Sequence, residues 1–575
     1  MTTPKNKNDR RLYHGDNLGL MREQIKDESV DLVYLDPPFN SGQDYNIPFK
    51  DQKGEKDAAQ IKAFEDTWHW GDDDEGILAT LPAQHPELGR WLKLTVELLG
   101  KNDMSAYLTM MAVRLLEIHR SLKPSGSMYL HCDVTASHYL KAMCDIIFGD
   151  ANFMNEIVWK GADAHNDARY RYAAVNDRIL FYAKKREGYY FEPQHTEFPV
   201  KTLREWYLYL ELPDGTTRRM TRAEIDSQEI PDGARRFNTD NLRSPSPRPN
   251  LTYDYKGYKP HPNGWAVSME RMKELDEAGL LLFPRSKDGR IMRKKYLDES
   301  KGPVMSDTWT DISQLRGHDI ERLGYPTQKP VALLERIIKA SCPESGIVMD
   351  PFCGCGTAVV AAEALSRHWI GMDITHLAVG LIKSRLKRDF ALGKGDFLED
   401  GVPTTIEAAQ YLFDLDPYDF QYWTLGEIGA RPYGASSGSK KGKKGGDGGI
   451  DGELFFMRPD GQDVERAIVS VKGGKNLTAG MVRDLVGTMT KHSAAMGIFI
   501  CLAKPTAGVL KEATLAGVYE YGGKTYPKVQ IMTVEDILAG KQPQVPEGSI
   551  NVTHVNKKVT SRSKQQESST MKTLF

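Results

Sequence analysis

The residues of this chain best placed to do chemistry are Asp36-Pro37-Pro38-Phe39, which follow the apolar run Val30-Asp31-Leu32-Val33-Tyr34-Leu35. A buried strand that delivers a carboxylate, two prolines and an aromatic ring to its C-terminal tip can grip a planar, amine-bearing ligand there. The prolines remove two N–H donors and stiffen the backbone, leaving carbonyl oxygens to accept hydrogen bonds, and an exocyclic amine meets that demand. Taken alone, the same four residues also read as a strand ending in a tight polyproline turn.

A second motif decides between these readings. Val348-Met349-Asp350-Pro351-Phe352-Cys353-Gly354-Cys355-Gly356-Thr357 runs into the small-residue helix Ala358-Val359-Val360-Ala361-Ala362, giving strand, glycine turn and helix. The glycines let a ligand approach the backbone over the helix N-terminus, and Asp373, after the apolar strand Trp369-Ile370-Gly371-Met372, is spaced to bind ribose hydroxyls. Val359 stands where a dinucleotide fingerprint has its third glycine, which favours a nucleoside without phosphates over a pyrophosphate cofactor.

Together the motifs resemble the S-adenosylmethionine-dependent amino-methyltransferases of DNA, which carry Asp-Pro-Pro-Tyr or Asp-Pro-Pro-Phe and a Phe-x-Gly-x-Gly-Thr loop. The catalytic half precedes the cofactor half, as in the beta permutation of that family and its type III Mod-like members. Three further segments resemble the family in order: Leu12-Tyr13-His14-Gly15-Asp16-Asn17, Gly126-Ser127-Met128-Tyr129-Leu130-His131 and Tyr325-Pro326-Thr327-Gln328-Lys329-Pro330. The resemblance covers most of residues 10 to 185 and 320 to 390. It implies a Rossmann-like α/β core of permuted motif order, with Asp36, Pro37, Pro38 and Phe39 at the target base. Asp350, Phe352, Gly354, Gly356 and Thr357 would line the cofactor pocket, with Asp373 on the ribose, Asp16 near the adenine and Lys329 near the carboxylate.

The elements that must hold these residues are readable in outline. Asp103 to Lys123 has the apolar spacing of a helix that Pro124 and Gly126 end before a strand at Ser127 to His131; its Met110, Met111, Leu115 and Leu116 are core. A helix over Thr135 to Phe148, strands at 156–159 and 177–182, and a helix from Val331 to Ala340 continue the alternation of a doubly wound sheet. At 575 residues and 40% hydrophobic content the chain has room for several cored domains, and no apolar stretch approaches the roughly 20 residues of a membrane span. Six cysteines without a Cys-x-x-Cys pair argue for reduced cytosolic thiols, not for a disulfide framework or zinc ribbon, and the family resemblance implies a cytoplasmic protein of a prokaryotic cell or phage. The N-terminal residues show no secretory segment.

Net charge is −2, so global basicity does not announce nucleic acid. Basic residues nevertheless cluster at Arg218, Arg219, Arg235, Arg236, Arg243 and Arg248, and again from Arg285 to Lys295, interleaved with Tyr253, Tyr255, Tyr258 and Trp265. Arginines can neutralise phosphates and aromatics can stack on or wedge against bases. The cluster lies where the family carries its target-recognition domain. The expected division is 1–184 for the catalytic half, 185–320 for the insert and 321–400 for the cofactor half.

A different domain is expected over 405–545, ahead of a polar tail at 546–575. The basic loop Ser436 to Lys444 leads into Gly445-Gly446-Asp447-Gly448-Gly449-Ile450-Asp451-Gly452, a strand at 453–456, and Ala467-Ile468-Val469-Ser470-Val471-Lys472. This order resembles the Mrr-like branch of the PD-(D/E)xK nuclease fold. The resemblance implies a magnesium ion on Asp451, with Asp447 as a further candidate ligand, and Lys472 steadying the attacking water or the phosphate. Ser470 departs from the usual Glu or Gln and weakens the metal set.

The combined expectation is a DNA methyltransferase of a restriction–modification or phage-defence system that acts on adenine N6 in double-stranded DNA. Cytosine-N4 transfer and a fused enzyme that also cleaves DNA stand as alternatives. A homodimer and a separate restriction or ATPase subunit are left open as partners. No cysteine follows a proline, so the nucleophile of the cytosine-C5 enzymes is absent. Gly522-Gly523-Lys524-Thr525 imitates the end of a phosphate loop, but Val518 replaces its first glycine.

Overall fold

The computed structural model describes residues 10–38, 69–162, 170, 172–316, 319, 321–323, 325, 327–433, 449–458 and 464–546, with the backbone alone of 44–50 and 56–65. Phe39, Pro326, Asp447 and most of the glycine-rich run before Asp451 lie outside the described residues. Two compact units emerge, Pro193–Ser306 and the remainder.

The larger unit is organised by a nine-stranded sheet. In chain order its strands are β1 (Arg10–His14), β2 (Val30–Leu35), β3 (Leu122–Cys132), β4 (Phe153–Lys160), β5 (Asn176–Ala183), β6 (Thr308–Trp309), β7 (Ile347–Asp350), β8 (His368–Asp373) and β9 (Leu398–Asp400). They lie in the order β6-β4-β5-β3-β2-β7-β8-β1-β9, with β5 antiparallel to both neighbours and every other pairing parallel. Strand β2 is buried at every position, which is why its sequence is a continuous apolar run instead of an alternation. The chain leaves β2 toward β3 but leaves β7 toward β8 on the other side. The carboxyl ends of β2 and β7, paired directly through Leu32–Val348 and Val33–Met349, therefore flank a topological switch point, where open α/β sheets bind ligands.

Helices α1 (Asn17–Gln24), α2 (Asp103–Ser121), α3 (Ser137–Phe148), α4 (Val331–Ser341), α5 (Thr357–Ala364) and α6 (His376–Phe390) cover this sheet. Asn102 starts α2 by accepting the Ser105 N–H at 3.0 Å. Its Met110, Met111 and Leu115 are buried, as their spacing predicts. Strand β3 begins at Leu122, with Pro124 inside it, so the breaker residues mark the strand's entry and not a separate turn. Val359, which replaces the third fingerprint glycine, packs on Gly371 of β8, where an added Cβ would come within 2.9 Å of Val359 Cγ2. The close helix–sheet approach survives because the glycine has moved to the strand.

Two helices, α7 (Ile406–Leu415) and α8 (Pro417–Glu427), lead into a second sheet of β10 (Arg431–Pro432), β11 (Gly452–Met457), β12 (Val464–Lys472), β13 (Met496–Cys501) and β14 (Val529–Thr533), in that order. The first three pair antiparallel and the last three parallel. Helix α8 crosses α6 at glycines: a Cβ on Gly380 would lie 2.9 Å from Gly426 Cα. Lys383 of α6 adds a buried ion pair to Glu399 at 2.7 Å and another to Glu427 at 2.5 Å.

The unit Pro193–Ser306 is built on a separate five-stranded antiparallel sheet. Here the structure departs from the sequence reading. Tyr255, Tyr258 and Trp265 are buried with Met272, Leu275 and Ile291 as this unit's core, so they are not available to stack on bases. Arg236 is buried and donates to the Tyr207 carbonyl at 2.7 Å, while Arg235 pairs with Asp298 and Lys294 with Glu211. Arg243, Arg248, Arg285 and Arg290 are exposed, and Arg243 and Arg290 both act on His261, lowering its pKa behind a larger desolvation effect. No described helix of the chain is long and apolar enough to cross a membrane.

Candidate functional site

At the switch point a cavity of about 340 Å³ opens between the tips of β1, β2, β7 and β8. Its volume falls within the range of small-molecule and cofactor sites. Asp36, Pro37 and Pro38 form one wall, extending β2. Asp350, Phe352, Gly354 and Thr357 come from the β7–α5 turn, Asp16 from the β1 tip and Asp373 from β8. The structure thus gathers all but two of the methyltransferase-motif candidates around one space. Phe39 lies outside the described residues, and Gly356 is set back from the lining. Gly356 begins α5 with φ +77°, and a Cβ there would come within 2.6 Å of Ile382 Cγ1 on α6, so its demand is steric.

The carboxylates differ in environment. Asp36 Oδ2 is paired with Lys329 Nζ at 2.7 Å, while Asp36 Oδ1 is buried without a hydrogen-bond partner. Lys329, read from the sequence as a group near the cofactor carboxylate, lines the same cavity but sits on Asp36. Asp350 is fully enclosed; burial pushes its carboxyl well above the usual range, partly offset by the Phe352 N–H at 3.0 Å. Asp373 is raised by burial too, and it accepts Gly354 N–H at 2.9 Å, Thr375 N–H at 2.9 Å and Thr375 Oγ1 at 2.8 Å.

Several lining residues escaped the sequence reading. Arg114 donates to Asp16 Oδ1 and to Asn17 Oδ1, both at 2.6 Å, and Asn17 in turn donates to the Pro351 carbonyl at 2.7 Å. This chain ties the β1 tip to the glycine turn. The signal was present, since Arg114 is a lone charge in the apolar helix stretch Met110-Met111-Ala112-Val113. Tyr34 also lines the cavity; its hydroxyl meets His131 Nδ1 at 3.0 Å, and His131 Nε2 meets Asp177 at 3.1 Å. The cavity fits a nucleoside cofactor: acidic side chains at Asp16, Asp350 and Asp373, apolar faces from Phe352 and Tyr325, and, on the Asp36 side, one buried unpartnered oxygen for a second ligand.

A second cluster forms at the C-terminal sheet. Asp451 Oδ2 accepts the Val471 N–H at 2.6 Å, lies 3.3 Å from Ser470 Oγ and 3.6 Å from Lys472 Nζ. Its carbonyl accepts from Gln421 of α8 at 3.1 Å. A Cβ on Gly473 would collide with Phe413 of α7, so both connecting helices are built into this region.

Comparison with known proteins agrees with both clusters. Residues 30–384 match the family described as DNA methylase, and residues 413–519 match one described as restriction endonuclease. The type II methyltransferase M.EcaI of Enterobacter cloacae is 27% identical over 67% of this chain and 71% of its own length. The StyLTI Mod subunit, of a type III restriction-modification enzyme of Salmonella typhimurium, is 27% identical over 64% of this chain and 51% of its own length. The EcoP15I Mod subunit of Escherichia coli is 25% identical over 61% of this chain and 56% of its own length, so the chain spans little more than half of these two subunits. Because the methylase match takes in well over half of the sequence and the whole of the switch-point cavity except its β1 wall, the chain belongs to the DNA methylase family, with a restriction-endonuclease segment behind it.

Proposed function

We propose that the chain is a site-specific methyltransferase that acts on the N6 amine of adenine in double-stranded DNA, with Asp36 at the reacting nitrogen. The observation that carries this reading is the divided state of Asp36, a residue of the cavity wall: one carboxylate oxygen is fixed by Lys329 and the other is buried and unpartnered. Preference for adenine rests on the Asp-Pro-Pro form of the motif.

When bound, S-adenosylmethionine supplies an electrophilic methyl group. An amine inside a stacked base pair cannot meet it in line, so the target base has to leave the duplex. Asp36 Oδ1 and the Pro37 carbonyl would accept the two amino hydrogens, which draws the nitrogen lone pair out of ring conjugation and aims it across the cavity. Lys329 keeps Asp36 from rotating, so the acceptor is oriented before the base arrives and positioning carries much of the rate. After transfer the nitrogen sheds one proton, for which Asp36 Oδ1 stands as acceptor. Asp373 and Asp16 would hold the nucleoside end, with Phe352 against it.

The Asp451–Ser470–Lys472 cluster favours a second activity, metal-dependent DNA cleavage. Asp451 would hold magnesium, with Lys472 beside the phosphate. Ser470 contributes no charge, so among the described residues of the cluster a single carboxylate, Asp451, would carry the ion, and its affinity there is expected to be weak. A separate restriction subunit and self-association are further proposals suggested by the likeness to Mod subunits.

The test is a nucleoside digest of DNA treated with the protein and cofactor, read by mass spectrometry. N6-methyladenine is the expected product. N4-methylcytosine would replace the adenine assignment, and unmethylated DNA across diverse sequences would overturn the reading.

A further inference from the structure

Outside the cavity, the ends of three elements bring together side chains that neither the methylase nor the endonuclease chemistry uses. His14 closes β1, His376 opens α6 and Asp419 lies in the first turn of α8. One ligand atom from each falls within 4.8 Å of the others. We propose that His14, His376 and Asp419 form a binding site for one divalent transition-metal ion of the zinc class, clamping the methylase sheet to the helix that leads into the endonuclease segment.

Three independent features support the site. His14 Nδ1 lies 3.2 Å from the Gly401 carbonyl, which assigns the proton to that nitrogen and leaves Nε2 as the bare one. Nε2 is buried and makes no direct hydrogen bond, although the Ile374 backbone also acts on this ring. A ring anchored through one N–H on a backbone carbonyl, with its other nitrogen turned to neighbouring donors, is the arrangement of a metal-ligating histidine. His376 is buried against it, the rings stacked with centroids 3.6 Å apart and planes within 9°. Asp419, half-buried in the first turn of α8, brings the carboxylate. Lys383, which also acts on His376, is committed to Glu399 and Glu427.

Donor type selects the ion. Two imidazoles and one carboxylate suit zinc, cobalt, nickel or iron(II), whereas magnesium and calcium take oxygen shells. Closing on an ion requires the stacked rings to fan apart about their side-chain torsions so that both lone pairs converge, with water completing the shell. The placement gives the ion a consequence. His14 precedes Gly15 and Asp16, and His376 follows Ile374 and Thr375, all four of them cavity-lining residues, while Asp419 shares α8 with Gln421, the partner of the Asp451 carbonyl.

The experiment uses full-length protein freed of metal with a chelator and titrated with Co²⁺, then Zn²⁺. Expected are visible ligand-field bands from one Co²⁺ per chain, their loss on adding one equivalent of Zn²⁺, and a melting temperature that rises with Zn²⁺. Asp419→Asn, at a partly exposed position that tolerates the amide, should stay folded by circular dichroism and lose at least ten-fold in Zn²⁺ affinity; His376→Gln should do the same. Asp451→Ala should leave this Zn²⁺ in place, which separates the site from the endonuclease cluster. Absence of Zn²⁺ uptake by the wild type at micromolar concentration, or an unchanged Co²⁺ spectrum in Asp419→Asn, would overturn the proposal, and loss of the ion in Asp451→Ala would assign it elsewhere.

Discussion

Lys329 Nζ and Asp36 Oδ2 stand 2.7 Å apart although 293 residues separate them in the chain. The contact joins the segment before α4 to the tip of β2, so the catalytic and cofactor halves meet at a charge pair inside the cavity. Both side chains are largely shielded from water, at 9% and 15% exposure.

Such a pair is costly to break from one side. Lys329→Met should destabilise the cofactor-free protein by about 3–5 kcal/mol, because the Asp36 charge is left buried without its partner. Lys329→Met combined with Asp36→Asn should recover much of that loss, since neither charge then remains. Thermal melts of the four proteins form a double-mutant cycle, and additive losses would show that the contact is not energetically coupled.

Asp350 sets a pH dependence. Burial raises its carboxyl well above the usual carboxylate range, so the fold prefers the protonated form. Stability linked to this group is therefore intact below the unfolded value of about 4 and is lost as pH rises through the higher folded value. Asp350→Asn should gain in melting temperature relative to wild type as pH rises above the unfolded value of about 4, in the absence of cofactor. Parallel curves for the two proteins would remove Asp350 as the source.

Binding of DNA by the insert should divide its arginines into two sets. Alanine at Arg243, Arg248, Arg285 or Arg290, all exposed, should weaken DNA binding and lower the salt slope by about one per residue, with the insert still folded. Arg236→Ala should instead unfold the insert, because the buried guanidinium holds backbone carbonyls. Equal behaviour of the two sets in salt titrations and proteolysis would contradict this division.

Truncation should be sensitive to a short stretch of chain. Ending the protein near residue 405 strips α8 from α6 and leaves Lys383, Gly380 and the neighbouring apolar face uncovered. Ending it after Gly429 keeps that cover. Only the longer fragment should be well folded and methylate DNA, and metal-dependent cutting, if the full chain shows it, should be absent from both. Cutting that survives in the longer fragment would move the nuclease centre away from Asp451.

The sequence carried the switch-point motifs because their constraints are local. A run of buried apolar residues ending in Asp36-Pro37-Pro38, and glycines opening a helix, are set by backbone sterics and burial on either side of one turn. The insert was harder to read. Tyr253 to Trp265, carrying lysines and flanked by arginine clusters, has the composition of a nucleic-acid surface, yet a small unit must find its core among the residues it has, and there the aromatics serve. Lys329 on Asp36 and His14 beside His376 and Asp419 were not legible at all, because pairs assembled across hundreds of residues leave no periodicity behind.

The most direct measurement of the central claim is methyl transfer under single-turnover conditions with labelled S-adenosylmethionine, made on wild type and Asp36→Ala alongside calorimetry of cofactor binding. The account predicts that the variant binds cofactor within a few-fold of wild type and transfers no methyl group to DNA. Wild-type transfer by Asp36→Ala would contradict it.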